Sequence, residues 1–257
     1  MNDDHQSVVK TFFNHEVNSY FKNFHSLKSG NHYRFQRRIE LVKIAAKDFA
    51  YCHLLECSSG TGETTREILL QNTVNYADIV DISPKMLAHT QQLLTIERDN
   101  FHHNLAINFI EADIFTFLNQ AQTQDQFYDL VLCLGLIAHT GKLKELLQLI
   151  YPCLQPKGHI LLQSSLLDHW GFKLVRNLTT EKYIRQKGYA ITDFYLQDII
   201  DTAQNCGFTI VKQHRFGFYF PFGDNLWKWG NFYLEKSMEQ IADKMGSDVI
   251  LILEKNQ

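Results

Sequence analysis

Short apolar runs alternate with helix-length segments between residues 52 and 166, and this alternation constrains the fold more than any other feature of the chain. The runs predict buried strands at 52–57, 76–82, 105–112, 127–134 and 158–166. Each intervening segment is too long for a hairpin turn and long enough for a helix. Strands joined in this way pair in parallel, so the pattern predicts an α/β fold with a doubly wound sheet.

The flanking segments add helices and two further strands. Apolar residues at helical spacing predict helices over 7–26 and 32–48 before the sheet. After it, we expect helices over 172–188 and 193–206 and strands over 208–220 and 247–255.

A length of 257 residues fits a single domain. We expect three parts within residues 1–257: a helical cap (1–50), a core (51–166) and a C-terminal part (167–257). The last part holds an insertion rich in aromatic residues, at 217–245, between the final two strands.

Composition and charge exclude several broad classes of protein. A net charge of −3 gives the chain no general attraction to nucleic acid or acidic membranes. The five cysteines form no C-x-x-C pair and no cluster with histidine, so we expect no metal site and a reducing compartment. The start MNDDHQ lacks the pattern of a signal peptide, and no apolar run reaches the roughly 18 residues of a membrane span. We therefore predict a cytoplasmic protein without nucleic-acid or membrane partners.

The stretch LLECSSGTGETT, at 54–65, joins the first predicted strand to a helix through a glycine-rich turn. Glycines let the backbone approach a ligand closely, and a helix N-terminus offers free N–H groups, so such a turn is typical of cofactor-binding sheets. Asp81 ends the second strand, about 19 residues after Gly62, where an acid can bind ribose hydroxyls. Ser83 and Pro84 suit the cap and first residue of the next helix. This pattern alone permits a nicotinamide dinucleotide.

Three features argue for a different cofactor. The G-x-G-x-x-G spacing is absent, and Glu56 lies where it would repel a pyrophosphate but attract an ammonium group. A further acid, Asp113, follows the third strand. A cofactor with a positively charged amino-acid tail, a ribose and an adenine would use Glu56, Asp81 and Asp113 together.

Four stretches in this order resemble the motifs of the class I S-adenosylmethionine-dependent methyltransferases of the small-molecule type. They are LLECSSGTGETT, ADIVDISPKML, INFIEADIFTF and FYDLVLCLGLIAHTGKLKELLQLIYPCLQPKGHILLQ, within residues 50–166. The resemblance implies a Rossmann-like sheet of seven strands, mostly parallel, with an N-terminal helical cap and the aromatic insertion between the last two strands. It also implies S-adenosylmethionine as the cofactor and S-adenosylhomocysteine as its product.

The resemblance also implies roles for individual residues. Glu56 and the turn Gly60-Thr61-Gly62 would hold the methionine moiety, Asp81 the ribose and Asp113 the adenine amino group. Further contacts with the cofactor would come from Ser58, Ile82, Met86, Ile114, Leu134 and Arg38. Ser58 departs from the glycine usual in the family, and its Cβ narrows the approach of the cofactor's tail.

Several of these side chains also have a purely structural interpretation. Glu56 could pair with Arg34 or Arg38, Asp81 could cap the following helix, and Asp113 could be an ordinary loop acid. The two arginines share a helix face, which either reaches the cofactor's carboxylate or is solvated.

The acceptor end of the site is predicted from aromatic residues and one histidine. His139 follows the fourth strand, where an imidazole can act as a general base or orient the acceptor. The insertion is predicted to form a lid in which Phe218 and Trp227 contact the substrate. Tyr20 and Tyr33, on the first two helices, are further candidates. The alternatives are a histidine without a chemical role, aromatic residues in the core, and an insertion that forms a homodimer interface.

These features predict transfer of a methyl group from S-adenosylmethionine to an oxygen or nitrogen of a small molecule. An RNA or protein methyltransferase is an alternative, although the chain has no basic appended domain. A nicotinamide oxidoreductase is disfavoured by Glu56 and the glycine spacing. A non-catalytic protein that binds the cofactor is the third alternative, and a homodimer stays open.

Overall fold

The computed structural model describes residues 3–25, 29–47, 49, 51–71 and 73–256. The strands, in chain order, are β1 His53–Glu56, β2 Tyr76–Asp81, β3 Ala106–Glu111, β4 Tyr128–Leu134, β5 Leu154–Ser165, β6 Phe208–Phe216 and β7 Asp248–Lys255. They form one sheet in the order β3-β2-β1-β4-β5-β7-β6. The prediction of a doubly wound, mostly parallel sheet of seven strands is therefore confirmed.

The helices alternate with the strands in the first part of the chain and cluster in the last part. In chain order they are α1 Asp3–His25, α2 Gly30–Lys47, α3 Glu63–Gln71, α4 Pro84–Ile96, α5 Ile114–Thr123, α6 Leu136–Thr140, α7 Leu143–Cys153, α8 Trp170–Lys187, α9 Leu196–Asn205, α10 Gly223–Leu226, α11 Lys228–Ser237 and α12 Glu239–Met245. A short 3₁₀ turn covers Arg98–Asn100. Within the described ranges, no helix is long and apolar enough to cross a membrane.

The strand directions locate the crevice of the sheet. Parallel pairing joins β1 to β2 and β4, β2 to β3, and β4 to β5. In contrast, β7 runs antiparallel to both β5 and β6. The chain winds outward in opposite directions from β1 and β4, and ligands of open α/β sheets bind at such a reversal, outside the carboxyl ends of the strands. The glycine turn after β1 and the segment after β4 therefore border one crevice.

Each face of the sheet carries its own hydrophobic core, because successive strand residues point to opposite sides. Leu54 and Leu130 pack with α2, α3 and α4 on one face. Their neighbours Leu55 and Val131 pack with α5, α7 and α9 on the other. All four side chains are fully buried. Burial on both faces explains why these strands read as continuous apolar runs in the sequence.

Several element boundaries differ from the prediction. The strand expected over 208–220 ends at Phe216, because Gly217 takes a left-handed φ of +67° and turns the chain out of the sheet. The start of β5 also differs from the prediction, since this strand begins at Leu154 rather than 158, directly after α7. The ends predicted for the first two helices, residues 26 and 48, lie outside the described residues.

The insertion folds into α10, α11 and α12, and α11 packs along α2. Arg34 of α2 forms an ion pair with Glu235 of α11, whose side chain is fully buried. The backbone N–H of Gly30 donates to Asp224 Oδ1 at 2.7 Å. The insertion is therefore held against the second helix of the cap.

Candidate functional site

The glycine turn follows β1 directly and is shaped by two left-handed glycines. Gly60 and Gly62 have φ values of +54° and +85°, a region that favours glycine. A Cβ on Gly62 would lie 2.9 Å from the side chain of Thr90, so packing against α4 also requires glycine there. The equivalent position on Gly60 faces open space, which leaves this backbone accessible to a ligand.

Glu56 ends β1 with a carboxyl group that is only 1% exposed. Its Oε2 accepts a hydrogen bond from Thr65 Oγ1 at 2.8 Å, and its Oε1 accepts a longer one from the Ser58 N–H at 3.4 Å. Burial, opposed in part by these two hydrogen bonds, raises the pKa of Glu56 to about 8. A positively charged ligand group would restore the ionised form, so the position suits an ammonium group.

The two arginines considered as partners of Glu56 do not pair with it. Arg34 is engaged with Glu235. The guanidinium of Arg38 lies 4.8 Å from the centroid of the Phe35 ring and borders the same cavity as Glu56. In the described part of the chain, neither arginine forms an ion pair with Glu56, and Arg38 is the one placed to reach a ligand.

Asp81 connects the end of β2 to the glycine turn. Its Oδ2 accepts from the Gly60 N–H and from Ser59 Oγ, both at 3.3 Å, and its Oδ1 accepts from the Ser83 N–H at 2.8 Å. Burial raises the pKa of this carboxyl to about 6, although the hydrogen bonds oppose the shift. Ser83, and not Asp81, caps α4 by accepting from the Met86 N–H at 3.2 Å. The prediction that Ser83 fills the cap is thus confirmed.

Asp113 has a structural role that the sequence did not assign to it. It is the N-cap of α5, where its Oδ2 accepts from the Thr116 N–H at 3.1 Å and from Thr116 Oγ1 at 3.3 Å. Both hydrogen bonds use the same oxygen. The carboxyl group also borders the crevice, so capping fixes its position and leaves Oδ1 for a ligand.

These groups border two adjoining cavities that form one cleft. Glu56 and the turn line the first cavity, and the ends of β2, β3 and β4 line the second. The residues that line both are Tyr20, Arg38, Ser58, Gly60 and Leu134. Thr61 and Gly62 line the first, and Asp81, Ile82, Met86, Asp113, Ile114 and His139 line the second. All the residues predicted to bind the cofactor therefore lie along one cleft.

Ser58 supplies an independent sign that this cleft fits a polar ligand. Its hydroxyl oxygen is buried and has no hydrogen-bond partner among the described residues. A buried polar atom of this kind is costly unless a ligand or water completes it. The residue that departs from glycine at this position thus adds a hydroxyl group to the wall of the cleft.

His139 lies on α6, just after β4, at the far end of the second cavity. Its Nδ1 is 2.8 Å from the hydroxyl of Tyr189, and its ring meets Phe13 edge to face at 5.0 Å between centroids. Burial, assisted by the charge of Lys187, lowers the pKa of His139 to about 3. The imidazole is therefore neutral at physiological pH.

Three residues predicted to contact the substrate are not brought to this cleft. Trp227 is 72% exposed and packs over Gly230. Phe218 is buried against His169, at 4.8 Å between ring centroids. Tyr33 donates from its hydroxyl to Glu239 Oε2 at 3.1 Å. Neither cavity has any of the three among its lining residues, so the described residues of the insertion do not cover the cleft.

The cleft is covered by α1 instead, and Tyr20 alone of the predicted substrate residues lines it. Val9 and Phe13, one turn apart on the same helix, also line the second cavity. Both lie within the helix predicted over 7–26, whose apolar residues were assigned no further role. Tyr189 was missed for a different reason, because it lies far from the cofactor motifs in the chain and follows Gly188, which ends α8.

Comparison with known proteins agrees with this geometry. A model of the family described as a methyltransferase domain matches residues 55–160. No match was found among curated protein sequences.

Solved structures share the fold at low sequence identity. Magnesium protoporphyrin IX methyltransferase from Synechocystis PCC 6803, with bound S-adenosylhomocysteine, superposes with a TM-score of 0.64 at 14% identity, over 98% of this chain and 100% of that one. A mycolic acid cyclopropane synthase gives a TM-score of 0.64 at 15% identity over 98% of each chain. An N-methyltransferase from Bradyrhizobium japonicum WM9 gives 0.54 at 14% identity, over 86% of this chain and 87% of that one.

Proposed function

We propose that this chain, which belongs to the class I S-adenosylmethionine-dependent methyltransferases, transfers the methyl group to an oxygen or nitrogen of a small-molecule acceptor. One observation carries the proposal. A polar cleft lined by four acidic side chains, among them Glu56, Asp81 and Asp113, adjoins an apolar end that holds one imidazole, that of His139. The polar part is suited to the cofactor and the apolar end to an acceptor of limited size.

The cofactor supplies a methyl group on a cationic sulfonium, which is already activated for displacement. In this proposal Glu56 binds the ammonium group of its methionine moiety, and Arg38 binds the carboxylate. Asp81 accepts hydrogen bonds from the ribose hydroxyls. Asp113, whose Oδ2 is engaged in capping, binds the adenine through its other oxygen, with Ile114 against the ring. Charge complementarity at the ammonium supports the first assignment, because Glu56 is buried without a cation at hydrogen-bonding distance in the described structure.

The protein's contribution to the reaction is orientation and exclusion of water. Val9, Phe13 and Leu136 line the acceptor end and give it apolar walls. Holding two reactants in line can lower a barrier by roughly 7–11 kcal/mol in favourable cases. A general base is therefore not required when the accepting atom already presents a lone pair.

His139 is proposed to orient the acceptor rather than remove its proton. Tyr189 is buried, and among the described residues the only hydrogen-bond partner of its hydroxyl is His139 Nδ1. A buried O–H needs an acceptor, so Tyr189 donates to Nδ1 and the ring proton resides on Nε2. An imidazole in this tautomer offers the cavity an N–H donor. Its pKa of about 3 also makes it a poor base near neutrality.

The fold alone does not identify the acceptor. Neighbours with this fold are named for a magnesium protoporphyrin, a mycolic acid and an N-methyl product, so the fold is compatible with several chemistries. The small apolar end and the aromatic residues of α1 support a small acceptor over a macromolecular one.

Transfer of labelled methyl groups tests the proposal. Protein incubated with labelled S-adenosylmethionine and fractionated cell extract should label the small-molecule fraction. Label that enters only RNA or protein contradicts the small acceptor. Label in no fraction, with donor binding intact, favours the non-catalytic alternative.

The cofactor site is tested by binding alone. Asp81→Ala should weaken S-adenosylhomocysteine by roughly 1–3 kcal/mol in calorimetry, the usual cost of unpaired polar groups in a desolvated site. Asp99→Ala, which changes an exposed acid within the 3₁₀ turn, is the matched control. Equal affinity in both variants removes Asp81 from the site.

A further inference from the structure

One face of α8 exposes large apolar side chains in a row. Trp170, Leu174 and Leu178 follow one another at intervals of four residues, so they form a single stripe along the helix. Their exposed fractions are 54%, 44% and 65%. We call these three residues the α8 stripe. Most leucines of this protein are buried, and three consecutive exposed positions on one face indicate a surface that binds something.

The charged side chains of α8 itself are mostly basic; Arg176 is paired with Asp193 and Arg185 with Glu181. Helix α8 contains five basic residues and one acidic residue, a net charge of +4. The whole chain carries −3, so the remainder carries −7 (−3 minus +4). Lys173 lies one turn from Trp170, and Lys182 continues the stripe one turn beyond Leu178; both are exposed. Lys182 therefore lies beyond the C-terminal end of the stripe, and Lys173 lies beside it between Trp170 and Leu174.

We propose that the α8 stripe docks the protein on the surface of a bilayer containing anionic lipids. Helices that lie in a membrane interface combine Trp and Leu on one face with flanking Lys and Arg. The indole of a tryptophan is suited to the boundary between acyl chains and headgroups. Anionic headgroups attract the exposed lysines Lys173 and Lys182 beside the stripe. The net charge of the whole protein does not reveal this local attraction of α8 to anionic lipids.

Charge argues against a second copy of the chain as the occupant. A two-fold symmetric interface places the same patch on both subunits, so the α8 helix of one subunit would face that of the other. Two segments of net charge +4 would then be brought together, which is unfavourable. An anionic lipid surface presents the opposite sign and neutralises the helix.

The α8 stripe is connected to the acceptor end of the cleft. Helix α8 ends at Lys187, and Tyr189 follows two residues later. The hydroxyl of Tyr189 contacts His139, which lines the second cavity. Docking would thus bring the C-terminal end of α8, and with it the acceptor end, near the lipid surface. On the premise of the proposed methyl transfer, the acceptor is then an amphiphilic molecule that partitions into the interface.

Vesicle co-sedimentation tests the docking surface without any enzymatic step. Wild-type protein should bind vesicles of phosphatidylglycerol mixed into phosphatidylcholine, and bind pure phosphatidylcholine vesicles much less. The double variant Leu174→Ser/Leu178→Ser should partition at least about tenfold more weakly, because buried apolar area drives interfacial binding. Ile96→Ser, which removes an exposed isoleucine from the end of α4, is the matched control and should bind as wild type does.

Lys173→Gln/Lys182→Gln should weaken binding to the anionic vesicles only.

Tryptophan fluorescence gives a second readout of the same contact. The chain has three tryptophans, so Trp227→Phe/Trp229→Phe leaves Trp170 as the single reporter. Its emission should shift to shorter wavelength when anionic vesicles are added. An unchanged spectrum, or equal vesicle binding by wild type and the serine double variant, overturns the proposal. So does a sedimentation-velocity result in which wild type is a dimer and the serine variant a monomer.

The fold of each variant is checked by the melting shift that S-adenosylhomocysteine induces, which should equal that of wild type. Since vesicle binding requires neither donor nor turnover, the two proposals fail independently. An enzyme that methylates a small molecule and ignores vesicles retains the proposed function and loses the docking surface. A protein that binds vesicles but transfers no label retains the docking surface and loses the proposed function.

Discussion

At the scale of single residues, the buried Glu56 carboxyl group makes the stability of the folded protein depend on pH. Its ordinary pKa of 4.5 is raised to about 8 by burial. A group whose folded pKa is raised favours folding when protonated, so this contribution is present below about 4.5 and lost as the pH rises through about 8.

We therefore expect the ligand-free protein to lose up to a few kcal/mol of unfolding free energy between about pH 5 and pH 8 from this group. Glu56→Gln should show a smaller loss over the same range, measured by urea denaturation at several pH values. S-adenosylhomocysteine should reduce the loss in wild type, because its ammonium group favours the ionised carboxylate. Parallel pH curves for wild type and Glu56→Gln, without ligand, contradict the assignment.

The His139–Tyr189 pair makes a second prediction at the scale of residues. A glutamine side chain keeps an N–H donor near the position of Nε2 but cannot act as a base. His139→Gln should therefore keep turnover within about tenfold of wild type, whereas His139→Ala should lose roughly 10²-fold, as for other single donors in active sites.

NMR tests whether Tyr189 positions the His139 ring and fixes its tautomer. In wild type the ¹⁵N shifts of His139 should report the Nε2–H tautomer, and Tyr189→Phe should shift the ring toward a mixture of tautomers. Turnover by wild type should not rise with pH through about 7, as it would if a base with a pKa near 7 had to lose its proton. A turnover rate in His139→Gln as low as in His139→Ala indicates a base instead.

Residues of the candidate cofactor site were accessible from sequence because they lie within short motifs at strand ends. Glu56 and Asp81 end strands, and a strand end fixes its side chain's position relative to the crevice. Phe13 and Tyr189 were not accessible in this way. Their approach to His139 depends on how α1 crosses the end of α8, which no local pattern encodes.

At the scale of elements, the most informative difference concerns which segment covers the cleft. The high density of aromatic residues predicted the insertion as the lid. Such a density indicates that a segment packs against the protein, but not which surface it packs against. The insertion contacts α2 through Arg34 and Glu235, whereas α1 presents Val9 and Phe13 to the second cavity. Strand and helix periodicity, in contrast, predicted most elements to within a few residues.

The covering helix is tested by a pair of aromatic substitutions. Phe13→Ala should lower turnover of the acceptor, since the ring packs on His139 and lines the cavity. Trp227→Ala, at a residue that is 72% exposed, should leave kcat and donor affinity within about twofold of wild type, as for most surface changes. Loss of turnover in Trp227→Ala with Phe13→Ala unaffected would restore the insertion as the lid.

The contact between α2 and α11 depends on a buried ion pair. Burial raises the pKa of Glu235 to about 7 even though the charge of Arg34 opposes the shift. Arg34→Met leaves this carboxyl without its cation, so we expect a loss of about 3–5 kcal/mol in unfolding free energy by urea denaturation. Adding Glu235→Leu to that variant should recover part of the loss. A loss no larger than that of an ordinary surface substitution means that Glu235 finds another partner.

At the scale of the whole molecule, the strand list alone did not determine the sheet. Alternation of strands and helices predicts the parallel part, from β1 to β5, because long connections allow parallel neighbours. The place of β7, between β5 and β6 and antiparallel to both, was not predicted, since the family resemblance implied only seven strands, mostly parallel. The net charge of the whole chain, −3, likewise gave no sign of the basic α8 helix, whose charge appears only when its own residues are counted.

The position of β7 also has a consequence during synthesis on the ribosome. The chain makes β6 before β7, yet the sheet pairs β6 only with β7. A nascent chain that has released residues as far as Phe216 therefore carries a strand with both edges unpaired, and the free edge of β5 beside it. Unpaired edges template wrong associations. The interval in which β6 waits for β7 is thus the stage of biogenesis at which we expect a ribosome-associated chaperone to matter most.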